Sequence, residues 1–253
     1  MKIIILAAGT GTRLRPYTDN LPKCMVPLAG KPLLHHQLEA IQSLGIDLND
    51  ISIVGGYLQD ALDAPGIKQY RNNNFDTTNM VETLFCAEEF MTENEDLFIA
   101  YGDIVYKPSV FKKLIDTEGD LVIVSDLDWE KLWSLRMNNP LDDAETFILN
   151  DKGFVQELGK KPKSKIEVQA QYIGLIKVAA QRVQDFKTFY HGLDRNELYD
   201  GRPFKQMFMT SFIQALINEG WKAKPAFINN GWIEVDTVDD LKMYESLKIA
   251  LIT

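Results

Sequence analysis

The sequence predicts an α/β protein with a mixed, mostly parallel sheet and helices on both of its faces. Short apolar runs alternate with helical patterns through the first half of the 253 residues, and this alternation is typical of parallel strands joined by crossover helices. From about residue 145 the apolar runs follow one another closely, which indicates a small antiparallel insertion. The sequence contains no internal repeat, low-complexity tract or linker, so we expect a single domain over residues 1–253.

The predicted elements of the first half are set by apolar periodicity and by turn residues. Buried strands are expected at residues 3–6, 51–54, 97–101 and 121–124. Apolar residues at helical spacing predict helices at residues 32–44, 79–91 and 108–115. Gly45 follows the first of these helices as a stop signal.

The second half begins with the antiparallel insertion and continues with helices. The insertion is expected to contain strands at residues 145–149, 154–158 and 171–178. Two helices at residues 179–190 and 204–218 are followed by strands at residues 224–228 and 232–236. A last helix is predicted from residue 238 to residue 249.

The composition is typical of a soluble globular protein and argues against several classes of function. A net charge of -9 disfavours a nucleic-acid partner. No apolar stretch reaches the roughly 20 residues that a membrane-spanning helix needs, and the start of the sequence does not resemble a signal peptide. The two cysteines match no metal-ligand spacing, so we expect reduced thiols and a cytoplasmic protein without membrane contact.

The segment LAAGTGTRLRP, residues 6–16, follows the first predicted strand and has the composition of a phosphate-binding turn. It is not a dinucleotide fingerprint, because Leu14 replaces the third glycine and the second strand ends in two glycines rather than an acidic residue. A P-loop is excluded because no Gly-Lys-Ser/Thr closes the turn. Arg13 and, one loop later, Lys23 add cations to the backbone N–H groups, which predicts a cradle for a polyphosphate.

The longer stretch LAAGTGTRLRPYTDNLPKCMVPLAGKPLL, residues 6–34, resembles the signature LAAGxGxRLxPxTxxxPKxxxPxxGxPL. That signature belongs to the nucleotidyltransferases that activate phosphorylated small molecules with a nucleoside triphosphate. The resemblance implies a Rossmann-like fold, and it implies that Arg13 and Lys23 are catalytic and bind the phosphates undergoing transfer. The nucleotide-binding residues that we expect in the loop and in neighbouring turns are Leu6, Ala7, Ala8, Gly9, Thr10, Gly11, Gly56, Asn79 and Gly102.

Two aspartates are expected to hold Mg²⁺, which a triphosphate attacked at its α-phosphorus needs for charge neutralisation. Asp103 follows the third predicted strand and Asp236 ends a late one, so both should lie at the sheet edge that carries the glycine loop. The resemblance implies the same pair, since the family takes one metal aspartate from a Gly-Asp strand end and another late in the chain. The alternative for Asp236 is that it caps the last helix.

The nucleotide is expected to be CTP. Residues 78–84, which include Asn79, resemble the TNxxxSL segment of bacterial phosphocholine cytidylyltransferases. The alternative is that Asn79 only caps the helix that follows it. The sequence offers no recognisable arrangement of nucleophile and base, and an acceptor phosphate needs none, because its second pKa of about 6 leaves it largely dianionic at neutral pH.

Aromatic and acidic side chains of the second half predict a site for an ammonium group on the acceptor. The expected acceptor-binding residues are Trp129, Trp133, Glu145, Lys160, Tyr172, Trp232 and Glu234. The first two share one face of a short predicted helix, and Lys160 parallels a family lysine near the acceptor phosphate. The alternatives are that the tryptophans fill the core and that Lys160 lies inert in an exposed hairpin.

We therefore predict a Mg²⁺-dependent cytidylyltransferase that transfers CMP from CTP to a small phosphorylated, amine-bearing acceptor and releases pyrophosphate. Residues 1–125 would form the nucleotide-binding half and residues 126–253 the acceptor-binding half. The chain resembles phosphocholine and phosphoglutamine cytidylyltransferases, which implies a role in making a cell-surface polysaccharide precursor but does not decide between the two acceptors. A sugar-1-phosphate uridylyl- or thymidylyltransferase and a non-catalytic nucleotide sensor stay open as alternatives, as does the oligomeric state, a homodimer included.

Overall fold

A seven-stranded mixed sheet lies at the centre of the protein, whose computed structural model describes residues 1–247. Its strands are β1 (Lys2–Ala7), β2 (Ile51–Gly55), β3 (Lys68–Arg71), β4 (Leu97–Tyr101), β5 (Leu121–Asp126), β6 (Gln171–Val178) and β7 (Ala223–Ile228). Their order across the sheet is β7-β5-β6-β4-β1-β2-β3. β6 runs antiparallel to both of its neighbours, and the other neighbouring pairs are parallel. The expected mixed, mostly parallel sheet is confirmed.

Helices cover both faces of the sheet. They are α1 (Leu33–Gln42), α2 (Met80–Phe85), α3 (Pro108–Asp116), α4 (Trp129–Arg136), α5 (Val183–Gly192), α6 (Met209–Asn218) and α7 (Val238–Ser246). Successive residues of a strand point to opposite faces, so Ile5 packs in an apolar cluster with α1 and α3, whereas Ile4 packs in another with α2, α5 and α6. Within residues 1–247, none of the helices has the length and apolarity needed to cross a membrane.

Several predicted helices are shorter than expected because 3₁₀ turns take up part of each. Such turns follow α2 and precede α5 and α6, at Glu88–Phe90, Ala180–Arg182 and Phe204–Gln206. The sequence does not predict β3, because Tyr70 is the one apolar residue in that short strand. The last helix ends at Ser246, and residues 248 and 249 of the predicted helix lie outside the described residues.

The antiparallel insertion differs from the expectation in its third strand. The first two predicted strands form a separate hairpin of Phe147–Leu149 and Val155–Leu158. The third predicted strand is β6, which enters the central sheet between β4 and β5. All eight residues of β6 are buried, as a strand covered on both faces by other elements requires.

The strand that precedes Asp236 lies outside the central sheet, contrary to the expectation. Trp232–Glu234 pairs antiparallel with Ile104–Tyr106, a strand that follows directly on the turn after β4. The backbone N–H of Val235 also donates to the carbonyl oxygen of Asp103 at 3.1 Å. This pairing, rather than membership of the parallel sheet, brings Asp236 to Asp103.

Gly174 in β6 is a position where a side chain would strain both the backbone and a neighbouring ring. Its φ of +86° lies in the left-handed region, and a Cβ would lie 2.6 Å from the ring of Tyr101. We expect Gly174→Ala to lower the free energy of unfolding by about 3 kcal/mol or more, measured by urea denaturation, because left-handed backbone and overpacking each cost about 1–3 kcal/mol.

Gly153 provides the matched control. It has a φ of +77° and no atom within 4 Å of a built Cβ, so Gly153→Ala should show the backbone cost without the clash. Equal losses of stability in the two variants would contradict the proposed contact with Tyr101.

Candidate active site

The nucleotide-side cavity opens beside the glycine loop, at the carboxyl ends of β1 and β4. Six of the residues predicted for nucleotide binding line it: Leu6, Ala7, Ala8, Gly9, Asn79 and Gly102. Lys23 and Asp103 line it as well. The cavity is therefore bordered by backbone of the loop, by a cation and by a carboxylate, all drawn from residues 6–103.

Two glycines, one in the loop and one just after β4, allow close contacts that a side chain would prevent. Gly11 has a φ of +59°, and a Cβ there would lie 2.9 Å from the Cβ of Lys23, so the loop and the lysine pack directly against each other. At Gly102 a Cβ would lie 2.7 Å from the carbonyl oxygen of Leu6. Because glycine allows both contacts, the end of β4 reaches the end of β1 and places Asp103 beside the loop.

Other residues predicted for nucleotide binding have local structural roles. Oδ1 of Asn79 accepts a hydrogen bond from the backbone N–H of Met80 at 2.8 Å, so Asn79 caps α2 and lines the cavity at the same time. Thr10, Gly11 and Gly56 are not among the lining residues. Their part in nucleotide binding stays a prediction.

Lys23, Asp103 and Asp236, which we call the charged cluster, lie where the nucleotide-side cavity meets a second cavity. The ammonium of Lys23 donates to Oδ2 of Asp103 at 2.6 Å and also to Oδ1 of Asp236. Nη2 of Arg13 lies 3.1 Å from Oδ2 of Asp236. The predicted catalytic cations and the predicted metal-binding carboxylates thus meet at one place.

The surroundings of Lys23 and Asp236 keep both side chains ionised. Burial alone would lower the pKa of Lys23, but the nearby carboxylates of Asp103, Asp236 and Glu234 hold that pKa above its usual range. Burial alone would raise the pKa of Asp236, but the charge of Lys23, a hydrogen bond with Glu234 and the charge of Arg13 hold that pKa below its usual range. Lys23 is therefore a cation rather than a base at neutral pH.

Three carboxylates are close enough to share a divalent cation. Asp103, Glu234 and Asp236 each offer an oxygen within 4.8 Å of the others. Oδ1 of Asp103 is buried and has no hydrogen-bond partner within residues 1–247, so it is available as a ligand. Mg²⁺ prefers such oxygen donors, and the residues present therefore fit the expected ion.

Asp236 is not the cap of the last helix. The side chain of Thr237 accepts a hydrogen bond from the backbone N–H of Asp240 and forms a capping box with it. Oδ2 of Asp240 in turn accepts from the backbone N–H of Asp236 at 3.1 Å. The start of α7 thus holds the backbone of Asp236 and leaves its carboxylate to the charged cluster.

Arg136, the last residue of α4, belongs to the site although the sequence analysis does not single it out. Its side chain is 3% exposed and donates to Oε2 of Glu234 and Oδ1 of Asp240, both at 3.0 Å. Burial, followed by the charge of Asp236, raises the pKa of Glu234 well above its usual range despite this contact. One sequence signal was present, since Arg136 lies three residues after Trp133 and so on the same side of the helix.

The second cavity has walls of aromatic rings and carboxylates. Five of the residues predicted for acceptor binding line it: Trp133, Glu145, Tyr172, Trp232 and Glu234. Arg13 and Asp236 border it as well. The ring centroids of Trp133 and Trp232 lie 5.8 Å apart, and both side chains are buried, so these tryptophans belong to the core and to the cavity wall at once.

The structure does not bring Trp129 and Lys160 to this cavity. Trp129 is buried and packs edge-on against Trp133, with ring centroids 6.3 Å apart. The ammonium of Lys160 lies on an exposed surface and donates to Glu157 at 2.6 Å. Their predicted contacts with the acceptor stay predictions that this geometry does not support.

The fold is that of a nucleotidyltransferase. Residues 3–146 match the model of the MobA-like NTP transferase domain, and the chain belongs to this family. A CTP:phosphoglutamine cytidylyltransferase of Campylobacter jejuni is 46% identical over 252 residues, which cover 96% of this chain and 98% of that protein. A choline-phosphate cytidylyltransferase of Streptococcus pneumoniae is 42% identical over 93 residues, which cover 35% of this chain and 40% of that protein.

A solved structure supports the same fold. The CTP:phosphocholine cytidylyltransferase of Streptococcus pneumoniae matches with a TM-score of 0.72 and 22% identity, over 98% of this chain and 99% of its own. The expected Rossmann-like nucleotidyltransferase fold is thereby confirmed.

Glu145 is a cavity carboxylate whose charge depends on pH. Burial, together with the charges of Asp143 and Asp200, raises its pKa to about 7. In the unfolded chain a glutamate ionises near pH 4.3, so this group costs stability as the pH rises from there to about 7.

We expect Glu145→Gln to remove that cost. Relative to the wild type, the free energy of unfolding of the variant should be about 1–2 kcal/mol higher at pH 8 but little changed at pH 5. This figure is smaller than the full pKa difference would give, because solvent screens the partly exposed carboxylate. Urea unfolding at the two pH values measures the difference. A gain of the same size at both would show that Glu145 does not titrate between them.

Proposed function

We propose that this protein is a cytidylyltransferase that transfers CMP from CTP to a small phosphorylated, amine-bearing acceptor and releases pyrophosphate. The observation that carries the proposal is the charged cluster at the junction of two unlike cavities, one beside the glycine loop and one lined by rings and carboxylates. The 46% identity to a CTP:phosphoglutamine cytidylyltransferase over nearly the whole chain supports CTP as the donor. Glu145, which lines the same cavity as Trp133 and Trp232, supports an ammonium group on the acceptor.

The reaction depends on alignment and charge stabilisation rather than on proton transfer. An oxygen of the acceptor phosphate attacks the α-phosphorus of CTP, and the bond from that phosphorus to pyrophosphate breaks as the new P–O bond forms. The acceptor phosphate is largely dianionic at neutral pH, so no base has to remove a proton. We assign the stabilisation of the charge that develops on the α-phosphate to Lys23 and Arg13.

We propose that Asp103 and Asp236, with Glu234 as a third carboxylate, hold Mg²⁺. When bound, the ion would neutralise part of the triphosphate charge and orient the leaving pyrophosphate. The buried, unpartnered Oδ1 of Asp103 supports this assignment. The contacts of both aspartates with Lys23 show in addition that the pair already attracts positive charge.

We further propose that the protein works in the cytoplasm and supplies a precursor for a cell-surface polysaccharide. A reaction that consumes CTP requires a compartment in which nucleoside triphosphates are available, which supports the location. The resemblance to phosphocholine and phosphoglutamine cytidylyltransferases supports the role of the product.

The function is tested by pyrophosphate release with a panel of nucleotides and acceptors. We expect turnover with CTP and amine-bearing phosphates, and we expect Lys23→Ala to lower kcat by about 100-fold or more, because a charge-stabilising donor is lost. Lys31→Ala is the matched control, since Lys31 is a partly exposed lysine paired with Glu39. Faster turnover of glucose 1-phosphate than of every amine-bearing phosphate would overturn the proposed acceptor class and favour a sugar nucleotidyltransferase.

The metal assignment is tested by Mg²⁺ titration of activity in Asp103→Asn and Asp236→Asn. Each variant should need at least about 10-fold more Mg²⁺ for half-maximal rate, because the removal of one carboxylate leaves a hard cation with fewer charged ligands. Asp116→Asn is the control, as that exposed aspartate pairs with Lys112 on α3. An unchanged Mg²⁺ requirement in either site variant would remove that aspartate from the proposed metal site.

A further inference from the structure

We infer that Asp126, the last residue of β5, is a positioning residue for the proposed transfer. Its carboxylate fixes the starts of two segments that meet at the site, α4 and the strand Trp232–Glu234. The inference rests on the proposed function and adds to it a residue that would touch neither ligand, since Asp126 lines neither of the two cavities.

The first observation is the number of hydrogen bonds that converge on this one carboxylate. Asp126 is fully buried. Its Oδ1 accepts from the backbone N–H groups of Asp128 and Asn230, each at 2.9 Å, and its Oδ2 accepts from Nε1 of Trp232 at 2.9 Å. Burial of a carboxylate is costly unless its oxygens are hydrogen-bonded, so these three bonds are what keeps Asp126 in the interior.

One of these bonds sets the start of α4. The backbone N–H of Asp128 comes two residues after the carboxylate that it contacts, so the bond closes a turn directly before the helix begins at Trp129. The other end of this helix is Arg136, whose guanidinium donates to Oε2 of Glu234 at 3.0 Å. A shift at the start of α4 would therefore reach the site through Arg136.

The other two bonds hold the segment that leads to Asp236. In the turn after β7, Asn230 has a φ of 56°, a left-handed conformation that a non-glycine residue keeps only where its neighbours fix it. Asp126 does so through the N–H of Asn230. The strand that follows is held at its first residue by the indole bond of Trp232 and along its length by pairing with Ile104–Tyr106. Asp126 thus fixes the point from which the chain runs to Asp236.

The three donors require a carboxylate at this position. A carboxylate accepts hydrogen bonds at both of its oxygens, whereas the asparagine side chain has one oxygen and an NH₂ group that only donates. In Asp126→Asn the oxygen can keep the two backbone N–H groups, and the NH₂ group would then face the indole N–H of Trp232. Two donors cannot bond to each other, so the variant loses the link to the strand while the side chain keeps nearly the same shape.

The experiment measures the kinetics of Asp126→Asn with saturating Mg²⁺. Pyrophosphate release is followed with CTP and with whichever of phosphocholine, phosphoethanolamine and phosphoglutamine the wild type uses fastest. We expect kcat/KM for the acceptor to fall at least about 10-fold, because misplacement of reacting groups by about 1 Å can cost about 100-fold in rate. The KM for CTP should change by less than about 2-fold, since residues 6–103 alone line the nucleotide-side cavity.

Asp96→Asn is the matched control. Oδ1 of Asp96 also accepts a hydrogen bond from a backbone N–H, that of Ala180 at 2.8 Å. Asp96 directly precedes β4 and so lies at the opposite end of that strand from Asp103. Urea unfolding shows whether both variants are folded and how much stability each has lost. Any loss of stability in Asp96→Asn should leave kcat/KM for the acceptor unchanged.

A double-mutant cycle with Trp232→Phe tests the link itself. If Asp126 acts through the indole, Asp126→Asn should lower kcat/KM by less than about 3-fold in the Trp232→Phe background, because the link is already broken there. If Asp126→Asn does not fold, Trp232→Phe alone carries the test. It breaks the same link from the other side and should lower kcat/KM for the acceptor with the KM for CTP unchanged, and an unchanged kcat/KM would overturn the inference.

The outcomes separate this inference from the proposed function. Turnover by the wild type, together with an unchanged acceptor kcat/KM in folded Asp126→Asn, would overturn the positioning role and leave the cytidylyltransferase intact. An equal fall in Asp96→Asn, or an equal effect of Asp126→Asn with and without the indole of Trp232, would overturn it as well. Absence of pyrophosphate release by the wild type with every acceptor would overturn the proposed function and the inference with it.

Discussion

The contact of Lys23 with Asp103 and Asp236 is the constraint on which the site depends. Its three residues come from distant parts of the chain, and a buried charge left without its partner is strongly destabilising. Each element must therefore deliver its residue to one point. The close approach of β4 to β1 at Gly102 delivers Asp103, and the antiparallel pairing of Ile104–Tyr106 with Trp232–Glu234 delivers Asp236.

A surplus of negative charge surrounds this contact. Four carboxylates, of Asp103, Glu234, Asp236 and Asp240, face three cations, of Arg13, Lys23 and Arg136. Burial and this surplus raise the pKa of Glu234, so a proton on Glu234 would balance the charges. An added divalent cation would have the opposite effect and favour the ionised form. The arrangement thus suits a site that receives positive charge together with an anionic nucleotide.

How much of this could be predicted from the sequence depends on whether a feature is local. The glycine loop, Lys23 and the strand before Asp103 were predictable, because local spacing and strand periodicity specify them. Arg136 was not, since its partners lie about 100 residues further along the chain. The spacing of Trp129 and Trp133 could not tell which ring borders the cavity, because this depends on how α4 rotates against Trp232.

The two cavities are lined by different parts of the chain. The family match at residues 3–146 contains all the residues that line the nucleotide-side cavity, where backbone of the glycine loop forms much of the wall. Tyr172, Trp232 and Glu234, which line the second cavity, lie beyond that match.

Arg13 and Asp236 nevertheless border the second cavity as well, so in the proposed reaction the transfer chemistry would fix the end of the acceptor that meets the charged cluster. In the proposed reaction, variation in acceptor would then fall to other residues of this cavity, such as Glu145, Trp133 and Tyr172. These side chains stand on elements other than the glycine loop, so they can change without moving its backbone. A family with one reaction can in this way serve different phosphorylated acceptors.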